Sequence, residues 1–448
     1  MASQAEQFAS QLNLGAFGKA TELKKRLWFT LGALVVYRLG TYIPIPGIDP
    51  SILSDIFEQQ SGGILSMFNM FAGGALERMT IFALNVMPYI SASIIMQLMT
   101  TVSPKLDQLK KEGESGRKKM NQYTRYLTVL LCLVQGYGIS VGLESMTGST
   151  GSAVIDPGMF FRFTTVVTLL GGTMFLLWLG EQITQRGVGN GISLIIFSGI
   201  VASFPGAIAQ LLELGRVGSL SAFAILAILI GGGLIIYWIV WMERAQRRLI
   251  VQYPKRQVGN RMFGGENSHL PLKLNTAGVI PPIFASSILL MPATFASFAA
   301  ADGAGWMSEI TRLLGRGQPL YLLIFGSAII FFCFFYTAVV FNPADTADNL
   351  RKNGGFIPGI RPGKNTTEYL DYVLTRITTV GAIYLMIVCL IPELLIGGLN
   401  IPIFLGGTSL LICVTVTMDT VAQIQSHMLA HQYEGLIKKS KLKGRNKR

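Results

Sequence analysis

Charge is what this sequence has least of. Only 14% of its 448 residues are Asp, Glu, Lys or Arg, while 50% are hydrophobic. Soluble domains carry about 25% charged residues, so a water-facing globule is excluded at the outset. Histidine occurs three times and cysteine four times. Cys132, Cys333, Cys389 and Cys413 lie far apart inside apolar stretches, with no CxxC spacing. They read as small buried hydrophobes rather than disulfide partners or metal ligands. His427 and His431 are four apart on an expected tail helix, but no Cys, Asp or Glu of suitable spacing completes a metal site. A nucleotide-binding loop is also missing. The dipeptides Gly18-Lys19 and Gly363-Lys364 are followed by Ala20 and Asn365, which rules out a Walker A motif. Gly187-Val188-Gly189-Asn190-Gly191 follows an expected membrane span rather than a strand, so a tight turn accounts for it.

What is present is length of apolar run. Crossing about 30 Å of hydrocarbon takes about 20 apolar residues in a helix. That rule marks spans near 27–43, 80–102, 126–143, 163–180, 191–212, 217–242, 274–298, 319–341, 375–392 and 401–418. The fold class expected is therefore an all-α polytopic membrane protein of about ten transmembrane helices. Charges within the spans are few: Arg38, plus Glu393 and Asp419 near span ends. Ion-coupled carriers place paired ionisable groups at mid-membrane. No such set exists here, and no cluster of carboxylates, histidines or a nucleophile marks an enzyme. The expectation is a non-enzyme with no cofactor.

The net charge of +13 is confined to tracts between the spans. With the N-terminus placed in the cytoplasm, cytoplasmic segments hold 31 of the 37 Lys and Arg residues. This asymmetry sets both termini on the cytoplasmic side under the positive-inside rule. Residues 1–26 are a polar tail without a cleavable signal, and 425–448 are a basic tail. Two five-helix halves, 27–212 and 213–424, must then cross in opposite senses, and inverted halves build their functional site at the shared interface. The cytoplasmic loops 243–274 and 342–374 are basic, rich in Gly and Pro, and long enough to be docking surfaces.

Segment 61–74 breaks the pattern. Gly62 and Gly63 precede Met67-Phe68-Asn69-Met70-Phe71, and Gly73-Gly74 follow. The stretch is too short to span and too apolar for water. A re-entrant helix with structural duties and a mobile element are both open readings.

Several motifs carry a family resemblance. Ile43-Pro44-Ile45-Pro46-Gly47-Ile48, Met67 to Phe71, Met87-Pro88-Tyr89-Ile90-Ser91 and Lys111-Glu112-Gly113-Glu114-Ser115-Gly116-Arg117 are among them. So are Gly180-Glu181-Gln182-Ile183-Thr184, Gly189-Asn190-Gly191-Ile192-Ser193, Phe356 to Gly363 and Phe404 to Leu411. In order and spacing the chain resembles the SecY family. The resemblance implies a channel in the bacterial cytoplasmic (inner) membrane that passes unfolded polypeptides and releases apolar segments sideways into lipid. It implies a pore ring of Val86, Ile90, Ile192, Ile196, Ile283 and Ile412. It makes 61–74 a plug, and puts a lateral gate at Pro88, Ser91, Gln97, Asn275, Pro281 and Pro282. There the prolines would let the helices bend, and Gln97 and Asn275 could hydrogen-bond across the closed gate. Lys255, Arg256, Arg261 and Arg361 would meet the ribosome or a SecA motor. SecE and SecG subunits, signal peptides and membrane lipids are the other implied partners. Asn85 departs from the family pattern, which usually has glycine there.

Overall fold

The computed structural model describes residues 21–59, 69, 72–145, 147–148, 151–218, 221–253, 256–258, 261–263, 267–289, 318–399 and 406–445. Helices occupy each of the ten expected span positions. α1 is Thr21–Gly40, α2 Pro50–Gln59, α3 Met87–Val102, α4 Pro104–Lys111, α5 Glu114–Ser145, α6 Met159–Arg186, α7 Gly191–Arg216 and α8 Ala222–Arg244. α9 is Ile280–Leu289, α10 Pro319–Val340, α11 Pro343–Lys352, α12 Lys364–Leu399 and α13 Gly407–Arg445. Among the described residues, seven helices are long and apolar enough to cross a membrane, and α3 and α9 are shorter apolar ones. α1 carries Glu22 and Lys24 to Arg26 in its first turns, which dilute its hydropathy.

Local chemistry sets the helix starts. Asn190 caps α7 by accepting from the Ile192 and Ser193 amides, Ser221 caps α8, and Asn342 caps α11. Prolines occupy the first turn of α3, α10 and α11, where a missing N–H costs nothing. Pro88 is one of them, and Pro281 and Pro282 stand likewise at the start of α9. The expectation that these prolines bend gate helices is therefore corrected: they begin helices instead of interrupting them. The second expected span also changes. Residues 72–86 run as successive turns, with Met79 and Asn85 at φ of 42° and 49°. Only from Met87 is the backbone helical.

A large apolar core joins the spans, while the outward faces are equally apolar. Phe160 and Phe223 are more than four-fifths exposed, and α8 buries only Ile239 and Met242 along its length. Exposed apolar surface on this scale requires lipid or a partner helix.

Among the described residues, loop 243–274 holds most of the strand structure. β3 (Gln246–Gln252) pairs antiparallel with β6 (Asn267–Lys273), and β4 (Arg256–Val258) pairs with β5 (Arg261–Phe263). Preceding these, β1 and β2 are a two-residue pairing of 147–148 with 151–152. The hairpin is tied to the other long loop by two backbone bonds, Gln252 N to Phe356 O at 2.9 Å and Phe356 N to Gln252 O at 3.0 Å. Leu249 and Leu272 from the hairpin pack with Ala347, Ile357, Leu370, Val373 and Ile377 in a separate small core.

Candidate functional site

Four separated stretches meet at one small cavity. Asn85, Val86, Met87 and Ile90 come from the turn into α3, Ile196 from α7, Ile283 and Ser286 from α9, and Ile412 from α13. The space holds roughly one water molecule. Val86, Ile90, Ile196 and Ile412 are each more than nine-tenths buried. Ser286 spends its hydroxyl on the Ile283 carbonyl at 2.9 Å. The lining is thus aliphatic, with no charge and little polarity to hold a dissolved ion. Five of the six expected ring positions come together here. Ile192 does not line the cavity. It stands one turn earlier on α7, half-buried against the core and beside Gly180 of α6.

Of the expected plug, Asn69, Gly73 and Gly74 are described, whereas Gly62, Gly63, Met67, Phe68, Met70 and Phe71 lie outside the described residues. The Asn69 side chain donates to Glu77 Oε2 and accepts from the Glu77 amide, both at 2.9 Å. Gly73 (φ 66°) sits so close to α7 that a Cβ would fall 2.9 Å from Gly199 Cα. Its carbonyl accepts from Arg38 Nη1 at 2.8 Å.

The expected gate pair makes other bonds. Gln97 Nε2 donates to Ser93 at 3.4 Å, and its Oε1 is buried without a hydrogen-bond partner. Asn275 is buried and donates to Glu243 Oε1 at 2.6 Å and to the Gly278 carbonyl, while accepting from the Gly278 amide. Asn275 therefore clasps the entry to α9 to the end of α8, and no bond joins it to Gln97. Pro88 and Ser91 are buried on α3.

Arg256 and Arg261 stand at opposite ends of the β4–β5 pair, Lys255 lies outside the described residues, and Arg361 is exposed on the segment tied to the hairpin through Phe356. The turn 187–191 is occupied by protein. Val188 N donates to Thr30 Oγ1, Gly189 N to Gln423 Oε1 and Gly191 N to Thr184 Oγ1, so the amides a phosphate needs are already used. Among the described residues, no group of three or more His, Cys, Asp or Glu is placed to hold a metal.

Sequence reasoning missed a cluster near Gly73. The Tyr42 ring lies 4.4 Å from the Arg78 guanidinium and 5.1 Å from that of Arg38. Its only advance signal was that Arg38 and Arg78 fall at the ends of expected spans, apart from the basic tracts that hold most Lys and Arg.

A family model described as SecY matches residues 80–421. The protein translocase subunit SecY of Escherichia coli strain K12 is 56% identical over 430 residues, covering 96% of this chain and 97% of that one. That of Rickettsia felis is 57% identical over 422 residues, covering 94% of this chain and 97% of its own length. Among solved structures, one described as a protein conducting channel superposes with a TM-score of 0.67 at 18% identity, covering 90% of this chain and 92% of that one. Sec61 in the canine ribosome-channel complex gives a TM-score of 0.63 at 17% identity, with the same coverage.

Proposed function

The chain belongs to the SecY family, and from that premise we propose that unfolded polypeptides cross the membrane through the cavity lined by Val86, Ile90, Ile196, Ile283 and Ile412. It is the protein-conducting channel subunit of a bacterial translocase, a multi-pass inner-membrane protein and not an enzyme. The observation that carries the pathway reading is the convergence of five aliphatic side chains from four stretches far apart in sequence. A collar without hydrogen-bonding groups blocks ions at rest because it does not stay wet. It also grips no passing sequence in preference to another, which a general secretory route requires.

The two halves, 27–212 and 213–424, part to release apolar segments between α3 and α9. The turns that precede Met87 and Ile280 support this, since a helix entered through a turn can swing without breaking its own hydrogen-bond ladder. Segment 61–74 closes the cavity at rest. The distribution of Lys and Arg supports cytoplasmic termini.

Partner translocase subunits complete the machine. Relatives of the same fold are described in complexes with ribosomes, Sec61 in the canine complex and Ssh1 on the yeast 80S particle. For this chain we assign SecE and SecG as membrane subunits, and SecA or the ribosome as the source of driving force, docking at Lys255, Arg256, Arg261 and Arg361. Signal peptides enter at the lateral opening, in contact with membrane lipid. Reconstitution with these partners tests the whole reading: a secretory precursor becomes protected from protease inside vesicles. A complex that binds precursor but never protects it would refute transport through this chain.

A further inference from the structure

One face of α1 is left bare. Trp28, Leu31, Val35 and Leu39 recur at intervals of three and four residues, and each is more than half exposed. That spacing makes a continuous apolar stripe along the helix. Tyr42, also more than half exposed, follows just past the helix end. A Trp and a Tyr at the two ends of a membrane helix match the level of the lipid headgroups, where an apolar ring with a polar tip is at home.

At the Tyr42 end the stripe meets two positive charges. Arg38 donates from Nη1 to the Gly73 carbonyl at 2.8 Å and from Nη2 to the Tyr42 hydroxyl at 3.2 Å. The Arg38 and Arg78 guanidinium groups lie 5.1 and 4.4 Å from the centroid of the Tyr42 ring. Two like charges therefore share one ring. Among the described residues neither arginine has an ion-pair partner, and Glu77, the carboxylate beside Arg78 in sequence, accepts from Asn69 at 2.9 Å. Arg78 Nη1 is buried with no hydrogen-bond partner. The repulsion and the unmade donor both cost free energy, and one anion set between the two forks removes both.

We propose that Arg38, Tyr42 and Arg78 form a binding site for the phosphate of a membrane phospholipid, whose acyl chains lie along the exposed stripe of α1. Phosphate offers several acceptor oxygens in the geometry that guanidinium forks match, so one group can serve both arginines. A free phosphate ion has the same chemistry. The stripe decides for the lipid, because it leads away from the cluster as an apolar track that an ion cannot use. Under the proposed topology this end of α1 meets the outer leaflet. The site stands whether or not the aliphatic cavity is the pathway.

The test uses the complete complex in phosphatidylcholine nanodiscs, with two trace probes carrying the same photoreactive acyl chain. One is a phosphatidylcholine and the other a diacylglycerol, which lacks the phosphate. Adducts are mapped by mass spectrometry to residues 28–42. The parent complex should favour the phosphate-bearing probe roughly three- to tenfold, the preference that one or two charge-assisted hydrogen bonds allow. Arg78→Gln should bring the two probes to equal labelling. Arg78→Lys keeps the charge without the fork and should retain part of the preference, so it decides the matter if Arg78→Gln fails to assemble. Equal labelling in the parent overturns the proposal, as does an unchanged preference in Arg78→Gln, or in Arg78→Lys where that variant decides. Absence of both adducts overturns it too, since a partner helix then covers the stripe. Loss of the preference when excess inorganic phosphate is added would show that the site takes the free ion and not the lipid.

Discussion

The aliphatic cavity and the cytoplasmic hairpin unit are both held by buried side chains, but only one is also held by directional bonds. Around the cavity, Val86, Ile90, Ile196, Ile283 and Ile412 meet through packing alone. In the hairpin unit, β3 and β6 share a seven-residue ladder, Gln252 and Phe356 exchange two backbone bonds, and Leu249 and Leu272 pack on five further buried apolar residues. Packing is non-directional, so on the proposed pathway the collar would widen around a passing chain and close again by repacking. A hydrogen-bonded ladder resists such deformation, which suits the docking surface proposed for this loop. A soft seal and a stiff handle are thus built from similar residues by different backbone bonding.

The strongest way to break this comparison is to make the collar polar. Ile196→Asn, or the equivalent at Ile90, should raise resting ion conductance by roughly tenfold or more, as about 1.4 kcal/mol of wetting free energy per decade would give. The melting temperature should move far less. Single-channel recording checks it, and unchanged conductance in both variants removes the collar from the pathway.

Emptying the other core should do the reverse. Ile357→Ala leaves a cavity under β3 and should cost about 2–5 kcal/mol, enough to open a unit of this size locally. The hairpin should then become sensitive to limited proteolysis and motor-driven transport should slow, with no rise in resting leak. Arg361→Glu is the gentler form of the same test: exposed and outside the small core, it should slow transport several-fold and leave proteolysis unchanged. A leak from either variant would mean that the handle and the seal are not separable.

Legibility in the sequence divides along the same line. The spans were readable because twenty apolar residues have few other uses. Loop 243–274 was readable as long and basic, but its ladder was not. Gln246 to Gln252 alternates over only Leu249, Ile250 and Val251, and its partner strand contains Pro271. The backbone of 72–86 was hidden for another reason: hydropathy reports how apolar a stretch is and carries no information on φ at Met79 or Asn85. Resemblance brought the collar positions to notice, since a single isoleucine in a span has no signature. Ile192, one turn before Ile196 on α7, lies beside Gly180 and outside the cavity lining.

Gln97 gives the smallest effect and the finest distinction. Its Oε1 is buried with no hydrogen-bond partner, while Asn275, expected opposite, is engaged by Glu243 and Gly278. A buried acceptor left unmade costs about 1–3 kcal/mol in a soluble core, but polar contacts between membrane helices average only about 0.6 kcal/mol. Gln97→Leu removes the cost and keeps the volume, so it should favour the resting arrangement by a few tenths to about 1 kcal/mol. If α3 separates from α9 during transport, water or a signal peptide then meets this oxygen and satisfies it, and leucine forfeits that gain. Signal-peptide crosslinking at α3 should fall about two- to fivefold in Gln97→Leu, with resting conductance unchanged. Equal crosslinking would show that α3 meets no polar partner on opening. A change in conductance instead would place Gln97 in the seal and not in the gate.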